Sequence, residues 1–261
     1  MKSFTETEIK YLAGLLDADG SLSFKFCKAG SGKTFAYLIL GLSAAESIDK
    51  QGYVKTLGER AGSVSKIVYE KDTYSDANYW KVQGRSELNM LLPRLTKHMV
   101  IKGAHWKRLF DKYTELKGLD VIDQVAELKE FSIGSRKASG PIKPKNHPTW
   151  AWVAGYLDGD GCYTFSKKRV LHVGAITHKD DLDGVMLLQK AFGGSLYEER
   201  GDNTRLWRRG LGKTHRSFAI SFLSKVVKHS KLKKWKIEQM LAFHNQPQRL
   251  SDVSSTEQAI V

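Results

Sequence analysis

Cysteine is scarce in this chain. Cys27 and Cys162 stand far apart and form no Cys-x-x-Cys pair. That excludes a disulfide framework and a thiolate zinc site, and it suits a reducing compartment. The eight histidines are scattered and never fall as His-x-x-x-His, so a helical histidine pair for metal is absent too. No apolar run reaches the length of a membrane span, and no membrane partner is expected. Met1 to Glu6 lacks the apolar stretch of a secretory signal and the arginine of a transit peptide. The expected location is the cytoplasm, or the interior of the organelle that encodes the protein. Acid is also in short supply, with 28 Asp and Glu against 42 Lys and Arg, a formal charge of +14. The excess is +6 in residues 1–117, +1 in 118–149 and +7 in 150–261, so it is no tail. A folded protein that is basic throughout favours polyanions such as nucleic acid. With 261 residues and 41% apolar content, the chain can build one large domain or two of ordinary size.

What is present is a repeat. Tyr11-Leu-Ala-Gly-Leu-Leu-Asp-Ala-Asp-Gly20 aligns with Trp152-Val-Ala-Gly-Tyr-Leu-Asp-Gly-Asp-Gly161, and six of the ten positions are identical. Phe24 and Phe165 follow in register. Further on, Leu40 to Ser43 matches Val173 to Ile176, and Ala61 to Val64 matches Gly193 to Leu196. Tyr79 to Val82 matches Leu206 to Arg209. Near the end of each copy, Ile101-Lys102 and His105-Trp106 are set against Ser230-Lys231 and Lys234-Trp235. The offset drifts from 141 to 129 residues, which implies shorter hairpin loops in the second copy.

Each copy predicts a helix, two strands, a helix, two strands and closing helices. Thr5-x-x-Glu8 is a capping box opening the first helix, Pro148-Thr149 opens its counterpart, and Asp-Gly is a stop signal for both. Leu22, Phe24 and Phe26 alternate with Ser23, Lys25 and Cys27, as a half-buried strand does. The matched Trp80, Trp106, Trp207 and Trp235 are expected in the core. Residues 1–117 form the first repeat, 118–149 a linker opening with a short amphipathic stretch from Val121 to Phe131, and 150–246 the second repeat. The tail 247–261 is polar and expected to be disordered.

The doubled motif carries the chemistry. Ala13-Gly14 and Ala154-Gly155 fall mid-helix, where glycine costs about 1 kcal/mol relative to alanine. Small residues let another backbone approach, so the two helices are expected to pack together about a pseudo-twofold axis. Asp19 and Asp160 then meet at two helix C-termini, where the dipole opposes negative charge and each carboxylate repels the other. A hard divalent cation relieves both costs, with the carbonyls of Ala18 and Gly159 as further ligands. Phosphates of a nucleic acid would complete the shell for metal-assisted attack by water. A single Asp-Gly would be an ordinary helix stop, but two in register within a repeat point to a site. Asp17 and Asp158 are expected to bond backbone groups near the helix ends. A calcium loop fails, because its twelfth position holds Lys28 or Arg169 instead of an acid. A phosphate-binding loop at Gly30 to Thr34 also fails. Its first glycine is Cys27, and Phe35 to Leu40 continues as strand.

Leu12-Ala-Gly-Leu-Leu-Asp-Ala-Asp-Gly20 differs at one position from the motif that gives the LAGLIDADG homing endonucleases their name, and Val153 to Gly161 resembles a common variant of it. The resemblance runs over nearly the whole chain, and two copies resemble the monomeric, pseudosymmetric class. It implies an α+β fold of two αββαββα repeats, with motif helices at the centre and antiparallel sheets forming a saddle over duplex DNA. It implies metal at Asp19 and Asp160, Mg²⁺ or Mn²⁺, with Ca²⁺ binding without supporting cleavage. It also implies a double-strand break with short 3′ overhangs. Lys102 and Lys231 match the place of a basic residue near each active centre. His178 matches a water-ordering position at the end of the second strand, where the first copy departs from the pattern with Ala45.

A two-stranded ribbon fits the major groove, where Arg and Lys read guanine and Gln reads adenine. The expected groove contacts are Ser23, Lys25, Lys81, Gln83 and Arg85 in the first copy. In the second they are Ser166, Lys168, Arg169, His178, Arg205, Arg208 and Arg209. The leading expectation is an intron-encoded, site-specific DNA endonuclease. The alternatives are a maturase acting on its own intron RNA and a non-catalytic DNA-binding regulator. Retention of both motif acids favours the first.

Overall fold

A computed structural model of the chain describes residues 3–45, 48–67, 77–116, 121–135, 148–165, 171–179, 181–198 and 203–245. The first helix, α1 (Glu6–Asp19), opens as its capping box predicts. Thr5 Oγ1 accepts from the Glu8 amide at 3.3 Å, and the Glu8 carboxylate accepts from the Thr5 amide at 2.8 Å. There follow β1 (Gly20–Lys28), β2 (Thr34–Ala45), α2 (Ile48–Arg60), β3 (Ser63–Ile67), β4 (Ala77–Val82), α3 (Arg85–His98) and α4 (Gly103–Glu115). A fifth helix, α5 (Val121–Ser135), leads to the second repeat. There α6 (Trp150–Gly159), capped by Thr149, is followed by β5 (Gly161–Phe165), β6 (Leu171–His178), α7 (Asp183–Phe192), β7 (Ser195–Glu198) and β8 (Thr204–Gly210). A 3-10 turn, α8 (Arg216–Val226) and α9 (Lys234–Asn245) close it.

Each repeat forms one four-stranded antiparallel sheet, in the orders β1-β2-β4-β3 and β5-β6-β8-β7. The fold is therefore α+β, built twice. Sheet alternation buries Leu38, Leu40, Leu42, Trp80 and Val82 in the first repeat, and Val173, Ala175 and Trp207 in the second. The two tryptophans pin matched turns, Trp80 Nε1 donating to Ala61 O and Trp207 Nε1 to Gly193 O. The Gly-rich segment before β2 is a hairpin turn, as its strand-like continuation predicts.

Helices α1 and α6 lie at the centre and are buried almost all round from Tyr11 to Asp17 and from Ala151 to Asp158. Gly14 and Gly155 make this contact possible. A Cβ on Gly14 would stand 2.0 Å from Trp152 O, and one on Gly155 would stand 2.0 Å from Tyr11 O. Glycine is the one residue that admits such an approach.

The structure adds two details to this reading and corrects one expectation. The Asp-Gly stop does not use a left-handed glycine, because Gly20 is extended (φ −78°, ψ 154°) and already begins β1. Its missing side chain instead leaves room for Leu16 O, which a Cβ would meet at 2.6 Å. The amphipathic start of the expected linker is α5, which packs on the first sheet with Leu128 fully buried. Trp235 is 48% exposed, and Ile237 fills the core place that Trp106 holds in the first repeat. The remaining linker residues 136–147 and the tail 247–261 lie outside the described residues.

Candidate active site

The last turns of α1 and α6 carry no basic residue, so the negative ends of both helices need partners from elsewhere. The turn preceding α4 supplies one. Lys102 Nζ donates to the carbonyls of Leu16 (3.3 Å), Ala18 (2.8 Å) and Gly20 (3.0 Å). In the second repeat the same fork is made by Lys233, whose Nζ donates to Leu157 O at 2.8 Å, to Gly159 O at 3.1 Å and to Gly161 O. The counterpart of Lys102 is therefore Lys233 and not Lys231, whose side chain is exposed. Two residues along a helical path is a turn of about 200°, so the slip that turns Lys231 outward also turns Trp235 outward. The signal was present in sequence, since Ile101-Lys102 resembles Leu232-Lys233 more closely than Ser230-Lys231, and each lysine immediately precedes its helix.

Asp17 and Asp158 fix those lysines in place. Both are buried. Asp17 accepts from the amides of Val100, Ile101 and Lys102 and from Trp152 Nε1 at 2.8 Å. Asp158 accepts from Ser230 Oγ, from the amides of Lys231 and Leu232, and from Tyr11 Oη at 2.7 Å. Each carboxylate thus binds its own repeat's lysine-bearing turn and the opening aromatic of the opposite helix. Burial raises the Asp17 carboxyl above its ordinary pKa, while the Lys102 amide and the Trp152 indole pull it back. Such satisfaction is what allows a buried carboxylate at all. The structural role expected of these two acids is observed. Their pairing across the helix interface was not expected, because it joins residues more than 130 positions apart.

The site acids stand two residues further on, about half a turn round each helix end. A Cβ on Gly159 would lie 2.5 Å from Ala18 Cβ and 3.2 Å from Asp19 Oδ2, so Asp19 rests against the end of α6. Asp160 caps that helix. Burial first, and the Asp19 charge second, push the Asp160 carboxyl up to about 6, against the pull of Lys102 and Lys233. Burial in turn lowers Lys102, which the surrounding aspartates support in its charged form. Asp181, in the turn after β6, is a further acid that interacts with both Asp160 and Lys102. Sequence reasoning passed over it because no matching acid stands in the first repeat. Among the described residues no group of three or more His, Cys, Asp or Glu side chains forms a closed metal cage. A site of two carboxylates with main-chain oxygens suits a hard cation that takes its remaining ligands from a substrate. The carbonyls of Ala18 and Gly159 border this place and already accept from the two lysines.

On either side the sheets turn one face away from the core. Ser23, Lys25, Lys81 and Gln83 line a concave groove of about 620 Å³ on the first sheet, with Tyr37, Ile39, Ser65 and Tyr79. Arg85 departs from expectation. It is the first residue of α3, and its guanidinium lies 5.1 Å from the Tyr113 ring, on the helix-covered side. In β8, Arg208 is exposed and follows the groove face. Arg205 and Arg209 share the parity of buried Trp207. Arg205 pairs with Glu198 at 2.8 Å, and Arg209 lies 4.5 Å over the Phe218 ring. Adjacent strand residues cannot share a face. His178 is exposed at the end of β6 on the groove parity. Ser166, Lys168 and Arg169 lie outside the described residues.

By sequence, no family model and no curated protein matches the chain. Solved structures do match. The LAGLIDADG homing endonuclease I-SmaMI bound to cleaved DNA is 17% identical, with 93% of this chain and 89% of that one covered at TM-score 0.65. I-SmaMI bound to uncleaved DNA target in the presence of calcium ions is 15% identical, covering 93% and 91% at TM-score 0.66. The LAGLIDADG homing endonuclease I-GzeII in complex with its DNA target is 14% identical, covering 93% and 90% at TM-score 0.68. The motif helices, the two sheets and these likenesses together give this chain the fold of the LAGLIDADG homing endonucleases.

Proposed function

We propose that the protein is a site-specific endonuclease that cuts both strands of a long duplex DNA target, leaving short 3′ overhangs. The observation that carries this is the convergence of Asp19 and Asp160 at the paired ends of α1 and α6, between two sheets with basic residues on their outer faces. Asp19 and Asp160 would hold divalent cations, Mg²⁺ or Mn²⁺, with carbonyl oxygens of Ala18 and Gly159 at hand. Bound there, the cation would supply Lewis-acid activation of the scissile phosphate and of the attacking water. Lys102 and Lys233 hold the helix ends in position and bring positive charge to where phosphate charge would grow. Lys81 and Arg208 occupy equivalent places on the two outer faces and suit guanine edges or phosphate. The structural neighbours are complexes with DNA, and one of them holds calcium.

The test is a cleavage selection. The full chain is incubated with Mg²⁺ and fragmented genomic DNA beside Asp19→Asn and Asp160→Asn, and the new ends are sequenced. Recurrent breaks at one long site, absent with both variants, are expected. Breaks that persist with both variants would overturn the assignment of these acids, and tight DNA binding without any cutting would favour a regulator.

A further inference from the structure

Strand pairing aligns the outer faces of the two sheets row by row. In the first sheet one row reads Gly41–Lys81–Ser63 across β2, β4 and β3. Its counterpart in the second is Gly174–Arg208–Ser195 across β6, β8 and β7. These rows match in chemistry: a glycine, a cation and a serine. The adjoining row, one step toward the active acids, does not. It reads Ser43–Tyr79–Ser65 in the first sheet and Ile176–Leu206–Tyr197 in the second. Both rows lie beside the catalytic centre, since Ser43 borders the same recess as Asp19, and the Ile176 amide donates to Asp160 O at 3.2 Å.

One exposed apolar side chain on a surface is ordinary. Here Ile176 is 42% and Tyr197 47% exposed, Leu206 is buried as their partner in the strand register, and all three alternate with the core positions that take Val173, Ala175 and Trp207. The strip ends against Arg208, whose guanidinium lies 5.6 Å from the Tyr197 ring. An apolar strip continuous with a cationic row, on the face toward a polyanion, needs an apolar feature in its partner. The major groove of DNA offers one such feature on its base edges, the 5-methyl group of thymine.

Resting on the endonuclease function proposed above, we infer that Ile176 and Tyr197, backed by buried Leu206, recognise thymine methyl groups near the cut, in the half-site under the second repeat alone. The Ser43–Tyr79–Ser65 row reads its half-site by hydrogen bonding. The target is then asymmetric close to its centre even though the flanking Lys81 and Arg208 rows are alike.

Replacing thymine by uracil removes the methyl and leaves every hydrogen-bonding group in place. Each thymine of the selected target is changed to uracil singly, and the dissociation constant of the full chain is measured in metal-free buffer, where no cleavage intervenes. Loss of one buried methyl predicts binding weaker by about fourfold at one or two thymines near the cut under the second repeat. No comparable loss is expected under the first. Ile176→Ser, checked for an unchanged melting temperature, is expected to bind thymine and uracil duplexes alike at those positions. Indifference to uracil throughout the second half-site, an equal loss under the first repeat, or discrimination surviving in Ile176→Ser would each overturn the inference while leaving the endonuclease intact. A chain that binds no duplex site would overturn both.

Discussion

Asp160 is held in a place unfavourable to its own charge, and that cost is measurable. Its folded pKa of about 6 exceeds the ordinary 3.8. Below pH 4 the carboxyl is protonated in both folded and unfolded states and nothing is lost. Between pH 4 and 6 the unfolded chain releases the proton first, so the native state loses stability as pH rises, by about 2–3 kcal/mol in all. Asp160→Asn is therefore expected to raise the melting temperature of the metal-free protein at pH 7, with the gain disappearing near pH 4. Thermal unfolding across that range checks it. The lysines give a second test at neighbouring positions. Lys102→Met and Lys233→Met remove the fork of donors from a helix end and are expected to lower the cleavage rate by roughly 10²-fold. Lys231→Met, at an exposed side chain, is expected to cut within about twofold of the parent, because surface changes of this kind are close to neutral. Single-turnover cleavage assays separate the three.

The motif helices hold each other by reciprocal contacts, so damage to either is felt in both halves. Gly14→Ala would drive a methyl into Trp152 O, and Gly155→Ala would do the same at Tyr11 O. Each is expected to cost about 3 kcal/mol, at the upper end for overpacking, since main chain and not a mobile side chain must yield. Tyr11→Phe leaves the packing nearly filled and Trp152→Phe also opens a small void, and each removes one donor from Asp158 or Asp17. A buried carboxylate deprived of a partner predicts a loss of about 2 kcal/mol for each, read from denaturant midpoints. Each carboxylate also orients the lysine-bearing turn of its own repeat, so both variants are expected to slow cutting as well as to unfold earlier.

Under the proposed function, a charge of +14 shared by two joined repeats is expected to make DNA affinity depend on counterion release. For six or more phosphate contacts the affinity is expected to fall by about 10³-fold between 50 and 200 mM salt. Titration of the selected duplex at several salt concentrations checks the slope, and the pseudosymmetric build predicts one chain per duplex. A shallow salt dependence would place the basic faces away from the phosphates.

Much of this protein is written locally. The capping box at Thr5, the alternation of Leu22, Phe24 and Phe26, the hairpin before β2 and the doubled Asp-x-Asp-Gly each depend on neighbours within a turn or a strand. Period and spacing therefore reveal the two repeats and single out the acids Asp19 and Asp160, while the resemblance of the doubled motif implies the α+β fold. Other features arise only when distant segments meet. The choice of Lys233 over Lys231 depends on how a turn more than 70 residues away docks on Asp158. The inward turn of Arg205 and Arg209 follows from strand parity anchored by Trp207. The bonds from Tyr11 to Asp158 and from Trp152 to Asp17 require the two motif helices to be in contact first. Loop lengths that differ between the copies shift the apparent register along the chain, while packing restores it in space, and that is why the folded molecule decides between two lysines that the sequence places two residues apart.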